Sequence, residues 1–98
     1  MGALEIRVSG RGNDHVVALA GELDIADATR LRDQLVSGAH STVTVDLADL
    51  SFIDAAGLSA LVSARRVLTD AGHTLRLRHP RPQVRRVFAL VDLAHLLD

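Results

Sequence analysis

Ninety-eight residues, 48% of them hydrophobic, with a formal net charge of −1, describe one small domain with enough apolar surface to offset the entropy of ordering it. The chain has no cysteine, which excludes disulfides, thiolate zinc sites and thiol redox switching. Its eleven cationic residues are all arginines, so a Schiff-base or general-base lysine and a P-loop are excluded as well.

No stretch approaches the roughly 18 apolar residues of a membrane span, and the start MGALEIRVSG lacks the basic and apolar regions of a signal peptide. The cytoplasm is the expected compartment, with no membrane insertion. Residues 1–60 carry four arginines against nine acids, and residues 61–98 seven against three. Clustered arginines can neutralise nucleic-acid phosphates. Here Arg65, Arg66, Arg76, Arg78, Arg81, Arg85 and Arg86 fall on outward helix positions or alternate along a strand, without interleaved aromatics. They read as a solvated face, and no nucleic-acid partner is expected.

In chain order, residues 4–8 alternate apolar and polar with period two, residues 9–14 form a turn cluster, and residues 15–20 are the expected hairpin partner, closed by Gly21. Asp24 can N-cap a helix with Ile25, Ala28, Leu31 and Leu35 inward, Arg30, Arg32, Asp33 and Gln34 outward, and Gly38 at its end. Residues 42–47, rich in β-branched side chains, predict a central strand, followed by a loop over 48–53. Asp54 is a second N-cap, before a helix with Leu58, Leu61, Val62 and Leu68 inward that ends at Gly72. Residues 74–79 alternate as a fourth strand. Pro80 and Pro82 then precede a third helix with Val84, Val87, Phe88 and Val91 on one face.

The order β-β-α-β-α-β-α predicts a single α/β domain spanning 1–98. Its mixed sheet has four to five strands, the central ones parallel through right-handed crossovers and the first antiparallel, with three or more helices.

Loops leaving the carboxyl ends of parallel strands gather at one sheet edge, where such folds bind their ligands. The segments Gly21-Glu22-Leu23-Asp24 and 46–54 are expected there, bringing Glu22, Asp24, Asp46, Asp49 and Asp54 together. That edge is electronegative unless the helix N-termini offset it. The first turn of the second helix, Ala55-Ala56-Gly57, holds nothing able to act as acid, base or nucleophile. Small side chains there let another protein come close, which suits docking rather than catalysis.

Several residues carry two readings. Asp54 and Asp24 are helix caps and also members of the edge. Gly57 permits close approach either of its own sheet or of a partner. Asp46 ends a central strand, turned to solvent or bonded to loop N–H groups. The histidines at 15, 40, 73, 79 and 95 show no metal-ligand spacing and read as scattered in loops, so no metal or other cofactor is expected. The apolar tail from Leu93 to Leu97 either folds back or forms a small interface.

With these residues in view, the sequence resembles the STAS domain family, in particular the short stand-alone bacterial anti-sigma factor antagonists. The match is densest over 46–58, where Asp46, Leu47, Phe52, Ile53, Asp54, Gly57 and Leu58 fit the family pattern of Asp-Leu, a short variable stretch, then an apolar pair and Asp-Ser-Ser-Gly-Leu. Gly21-Glu22-Leu23-Asp24 and the closing helix around Val84-Arg85-Arg86-Val87-Phe88 extend it over the whole chain.

The resemblance implies partner switching. An antagonist binds an anti-sigma factor, itself a histidine-kinase-like ATPase, and so frees a sigma factor. It assigns partner binding to Glu22, Asp24, Asp54, Ala55, Ala56, Gly57, Leu58 and Ser59. In the family the kinase phosphorylates the second serine of the pattern, adding about −1.5 to −2 of charge that abolishes binding. Here both serine positions are alanine, Ala55 and Ala56, so docking is expected without a switch at Ala56; Ser51, Ser59 and Ser63 are the neighbouring hydroxyls. A second expectation of a different class is a STAS scaffold or sensor module in a signalling complex, or in a transporter of phospholipid-trafficking type. A third, nucleotide binding, lacks a phosphate-cradling loop with a basic anchor.

Overall fold

The computed structural model describes residues 3–10, 12–37 and 41–98. Its elements are β1 (Leu4–Ser9), β2 (Asp14–Leu23), α1 (Ile25–Val36), β3 (Thr42–Ile53), α2 (Ala55–Asp70), β4 (Thr74–Arg78), α3 (Pro82–Leu90) and a terminal 3-10 turn, Ala94–Leu96. The sheet order is β1-β2-β3-β4, with β1 antiparallel to β2 and the remaining pairs parallel. This is the expected architecture, with four strands and three α-helices.

Both crossovers step in the same direction across the sheet. Right-handed connections of that kind place α1 and α2 on one face, and the two helices pack against each other there. Val17, Leu19, Val43, Val45, Leu75 and Leu77 point into this layer and are at most 6% exposed; Leu31, Leu35, Leu61 and Phe88 meet them from the helices. Alternation along the strands sends Glu5, Arg7, Thr44, Asp46, Arg76 and Arg78 to the opposite, open face.

The 48–53 segment is strand, not the expected loop. Pairing with β2 slips twice: Ala18 faces Asp46 but Ala20 faces Asp49, and Gly21 faces Leu50 but Glu22 faces Phe52. Each slip puts an extra residue into β3, and each such bulge resets the side-chain alternation. Leu47, Leu50 and Ile53, three residues apart, therefore all reach the core. Side chains hold the irregular stretch: Asp46 Oδ1 accepts from the Ala48 N–H at 3.0 Å, and the Ser51 hydroxyl donates to the Gly21 carbonyl at 2.9 Å. Asp46 thus lies within the strand and not at its end.

β2 likewise runs through Gly21 to Leu23 instead of closing there. Gly21 has φ +100°, and a Cβ on it would lie 2.1 Å from the Ala3 carbonyl oxygen, so only glycine fits. Ile25 is 77% and Val91 52% exposed, so neither joins the apolar face expected of it. Ile25 is the first residue of α1, before the helix turns its inward stripe to the sheet, and Val91 is already the C-cap of α3.

His15 is buried within β2 and does not lie in a loop. The expected end of α1 at Gly38 falls outside the described residues, as does His40; the last described turn closes on Ser37, whose N–H donates to the Asp33 carbonyl. The tail folds back: Leu93, Leu96 and Leu97 pack on the core, and the Asp98 N–H donates to the Leu77 carbonyl at 2.8 Å beside β4.

Candidate functional site

The carboxyl ends of β2 and β3 lie side by side, with Glu22 paired to Phe52 and Leu23 to Ile53. Each strand passes through one aspartate into a helix, so α1 and α2 start together. Asp24 accepts from the Ala26 N–H at 3.0 Å. Asp54 does more: Oδ1 accepts from Gly57 of its own helix at 2.8 Å, and Oδ2 accepts from Ile25, the first residue of α1, at 3.2 Å. The Asp54 N–H also donates to the Leu23 carbonyl at 3.1 Å. One carboxylate thus ties both N-termini, and the helix dipoles offset the charge of the two caps.

The first turn of α2 divides by side. Gly57 and Leu58 are buried. A Cβ on Gly57 would lie 2.7 Å from Leu23 Cγ and 2.8 Å from the Leu23 carbonyl oxygen, so the close approach served by this glycine is that of its own sheet. Ala55 and Ser59 are exposed and Ala56 is half-buried. Glu22, Asp24 and Asp54 stand at the same edge, half-buried. Asp46 and Asp49 do not join them: Asp46 pairs with Ala18 and Arg78 in mid-sheet, and Asp49 lines a shallow depression with Glu5, Arg7 and Ala20.

Two grooves flank the exposed face of α2. One lies between α1 and α2 and is lined by Ala28, Thr29, Arg32, Ala56, Ser59 and Ser63. Across it the Arg32 Nε donates to the Ser63 hydroxyl at 2.9 Å. The other is lined by Ala55, Leu58, Val62, Arg66, Val91 and Leu93, and Ser59 and Ser63 border both. Beside the caps, Ile25 and Phe52, 77% and 47% exposed, add large apolar side chains to the edge.

Sequence patterns placed Ile25 in the core and Phe52 in a loop; the position of Ile25 immediately after the Asp24 cap was the available signal that it starts outside the buried stripe. Sequence patterns read Arg32 only as an outward helix residue and did not single out Thr29, because a groove between helices depends on how they pack. Among the described residues no group of three or more His, Asp or Glu is placed to hold a metal ion, and no helix is long and apolar enough to cross a membrane.

A four-stranded sheet covered by helices on one face, with two helix N-termini joined at the strand ends, defines a two-layer α/β domain. The chain belongs to the STAS domain family: residues 6–98 match the family described as "Mlab, STAS domain". It is 29% identical over 97 residues to the anti-sigma-B factor antagonist of Bacillus subtilis (strain 168), covering 97% of this chain and 89% of that protein.

Among solved structures it resembles the anti-sigma factor antagonist SpoIIAA in its unphosphorylated form, with 25% identity, a TM-score of 0.83, and coverage of 96% of this chain and 86% of that one. An anti-sigma factor antagonist from Mycobacterium paratuberculosis shares the fold, with 21% identity, a TM-score of 0.84, and coverage of 97% and 83%.

Proposed function

We propose that this chain is an anti-sigma factor antagonist that acts by binding and not by catalysis. Its α2 edge docks an anti-sigma factor of the histidine-kinase-like ATPase type, which then releases its sigma factor. The observation that carries this reading is the surface at the joined helix N-termini. Ile25 and Phe52 are exposed next to the two caps, and the first turn of α2 presents exposed Ala55, half-buried Ala56 and exposed Ser59. Exposed apolar side chains beside a flat helix start suit protein docking. The likeness to an anti-sigma-B factor antagonist over 97% of the chain supports the partner class.

Ala56 occupies the phospho-acceptor position of the family pattern and has no hydroxyl to modify. Of the nearby serines, Ser51 donates its hydroxyl to the Gly21 carbonyl and Ser63 accepts from Arg32, whereas Ser59 is exposed one turn beyond Ala56. The docked state is therefore constitutive at Ala56, and Ser59 is the hydroxyl to examine for a replacement switch.

The test begins with affinity capture from native lysate in ADP and in ATP, with retained proteins identified by mass spectrometry, followed by calorimetry on the purified partner. Recovery of a histidine-kinase-like ATPase is expected. Ala56→Asp should weaken its binding about tenfold or more, ~1.4 kcal/mol, and Ala56→Ser should change it little. Equal affinities for the two variants would remove Ala56 from the interface. The second reading is a STAS scaffold or sensor module of a signalling complex or of a transporter of phospholipid-trafficking type. Recovery of transporter or scaffold subunits in place of the ATPase would establish it.

A further inference from the structure

The two sheet edges are treated differently. Beyond β4, Leu97 forms a parallel bridge to Leu77, and Asp98 pairs with Arg76 at 3.0 Å, so the tail covers that edge. Beyond β1, among the described residues, no strand is paired.

The ladder fixes which β1 groups point outward. β1 pairs with β2 in the register Leu4 to Gly21 through Ser9 to Val16, and one step further the Glu22 N–H donates to the Ala3 carbonyl. Hydrogen-bonded pairs alternate along an antiparallel ladder, so Glu5, Arg7 and Ser9 bond to β2, while Leu4, Ile6 and Val8 direct their N–H and C=O groups away from the sheet. The Leu4 carbonyl agrees: it accepts from Arg30 Nη2 at 3.2 Å, outside the ladder. Val8 is 48% exposed and Ile6 half-buried on the helix side.

We propose that β1 is a self-pairing edge, through which two copies of this chain join antiparallel about a two-fold axis at Ile6. In that register Ile6 faces Ile6 of the second copy, and Leu4 faces Val8. These are the residues whose backbone groups point outward, so the Ile6–Ile6 and Leu4–Val8 pairs are of the hydrogen-bonded kind. Between them Glu5 of each copy faces Arg7 of the other in the closer, non-hydrogen-bonded spacing, where opposite charges help and like charges oppose. Within one copy these two side chains already pair at 3.0 Å on the open face; the second copy offers each a further partner.

Among centres that set the outward-directed residues against one another, Ile6 gives the longest overlap and sets Glu5 against Arg7, whereas a centre at Glu5 or Arg7 sets like charges together; this is the self-complementarity an isologous contact requires. Arg30 occupies one lone pair of the Leu4 carbonyl and leaves the other. A single strand pairing makes a small interface, so the association is weak and concentration-dependent.

Sedimentation velocity on the whole chain over a wide concentration range tests this. The wild type should shift from monomer to dimer as concentration rises. Glu5→Arg alone and Arg7→Glu alone each set two like-charge pairs across the axis and should weaken self-association about tenfold or more. An equimolar mixture of the two variants should restore it, because each variant then meets its opposite. Both side chains are more than half exposed, at 57% and 78%, so the monomer stays folded, as circular dichroism can verify. A wild type that remains monomeric at millimolar concentration would overturn the proposal. So would a dimer insensitive to the single variants, or variants that do not recover on mixing.

Discussion

Asp54 shows how much one side chain can carry and how little of that is local. Its bond to Gly57 is three residues away and follows from the N-cap pattern alone, whereas its bond to Ile25 spans 29 residues and exists because β2 and β3 end side by side. Asp24 makes the local bond only. Replacing Asp54 by alanine should therefore cost about 2–3 kcal/mol, against about 1 kcal/mol for Asp24→Ala, and urea unfolding of the two variants measures the difference. Equal losses would mean that the bond to Ile25 contributes nothing. Gly57 makes the same point: its two readings could be separated only once Leu23 was seen packed against it.

β3 is the element where periodicity misled. A strand that turns alternate residues inward gives period two, and residues 42–47 obey it; Leu47, Leu50 and Ile53 do not, so 48–53 looked like a loop. Two bulges account for the spacing, and a pair of three-residue steps between buried aliphatic residues is the signal they leave. Amide exchange distinguishes the two descriptions: protection should continue past Leu47 to Ile53, since this stretch is paired with β2 up to Leu23, whereas a loop would exchange at once. The extension has a functional consequence. It carries Phe52 and Asp54 to the level of Glu22 and Asp24, while Asp46 and Asp49 stay behind in the sheet, which dissolves the five-acid edge into a smaller group of three.

At the scale of the whole molecule, the tail closes the fold against β4. The Asp98 N–H donates to the Leu77 carbonyl, and Leu97 before it has φ −88° and ψ 137°, a conformation compatible with a following proline. Asp98→Pro removes that donor together with the carboxylate and should lower stability by about 1 kcal/mol. Asp98→Ala removes the half-exposed ion pair with Arg76 and should change stability little. The same denaturant series reads both, and identical behaviour would show that the backbone bond does not hold the tail.

Sequence alone determined the element types and order, the two caps, the parallel crossovers and the family resemblance. These rest on short-range chemistry: periodicity within one element, capping across three residues, and the handedness of a crossover. Only the tertiary structure decided that Ile25 and Phe52 lie exposed at the edge, that Gly57 serves its own sheet, and that Asp54 joins two helices. It alone showed β4 covered by the tail and, among the described residues, no strand paired beyond β1. Each of these depends on where segments tens of residues apart come to rest, and that is set by packing of the common core, which no local pattern encodes.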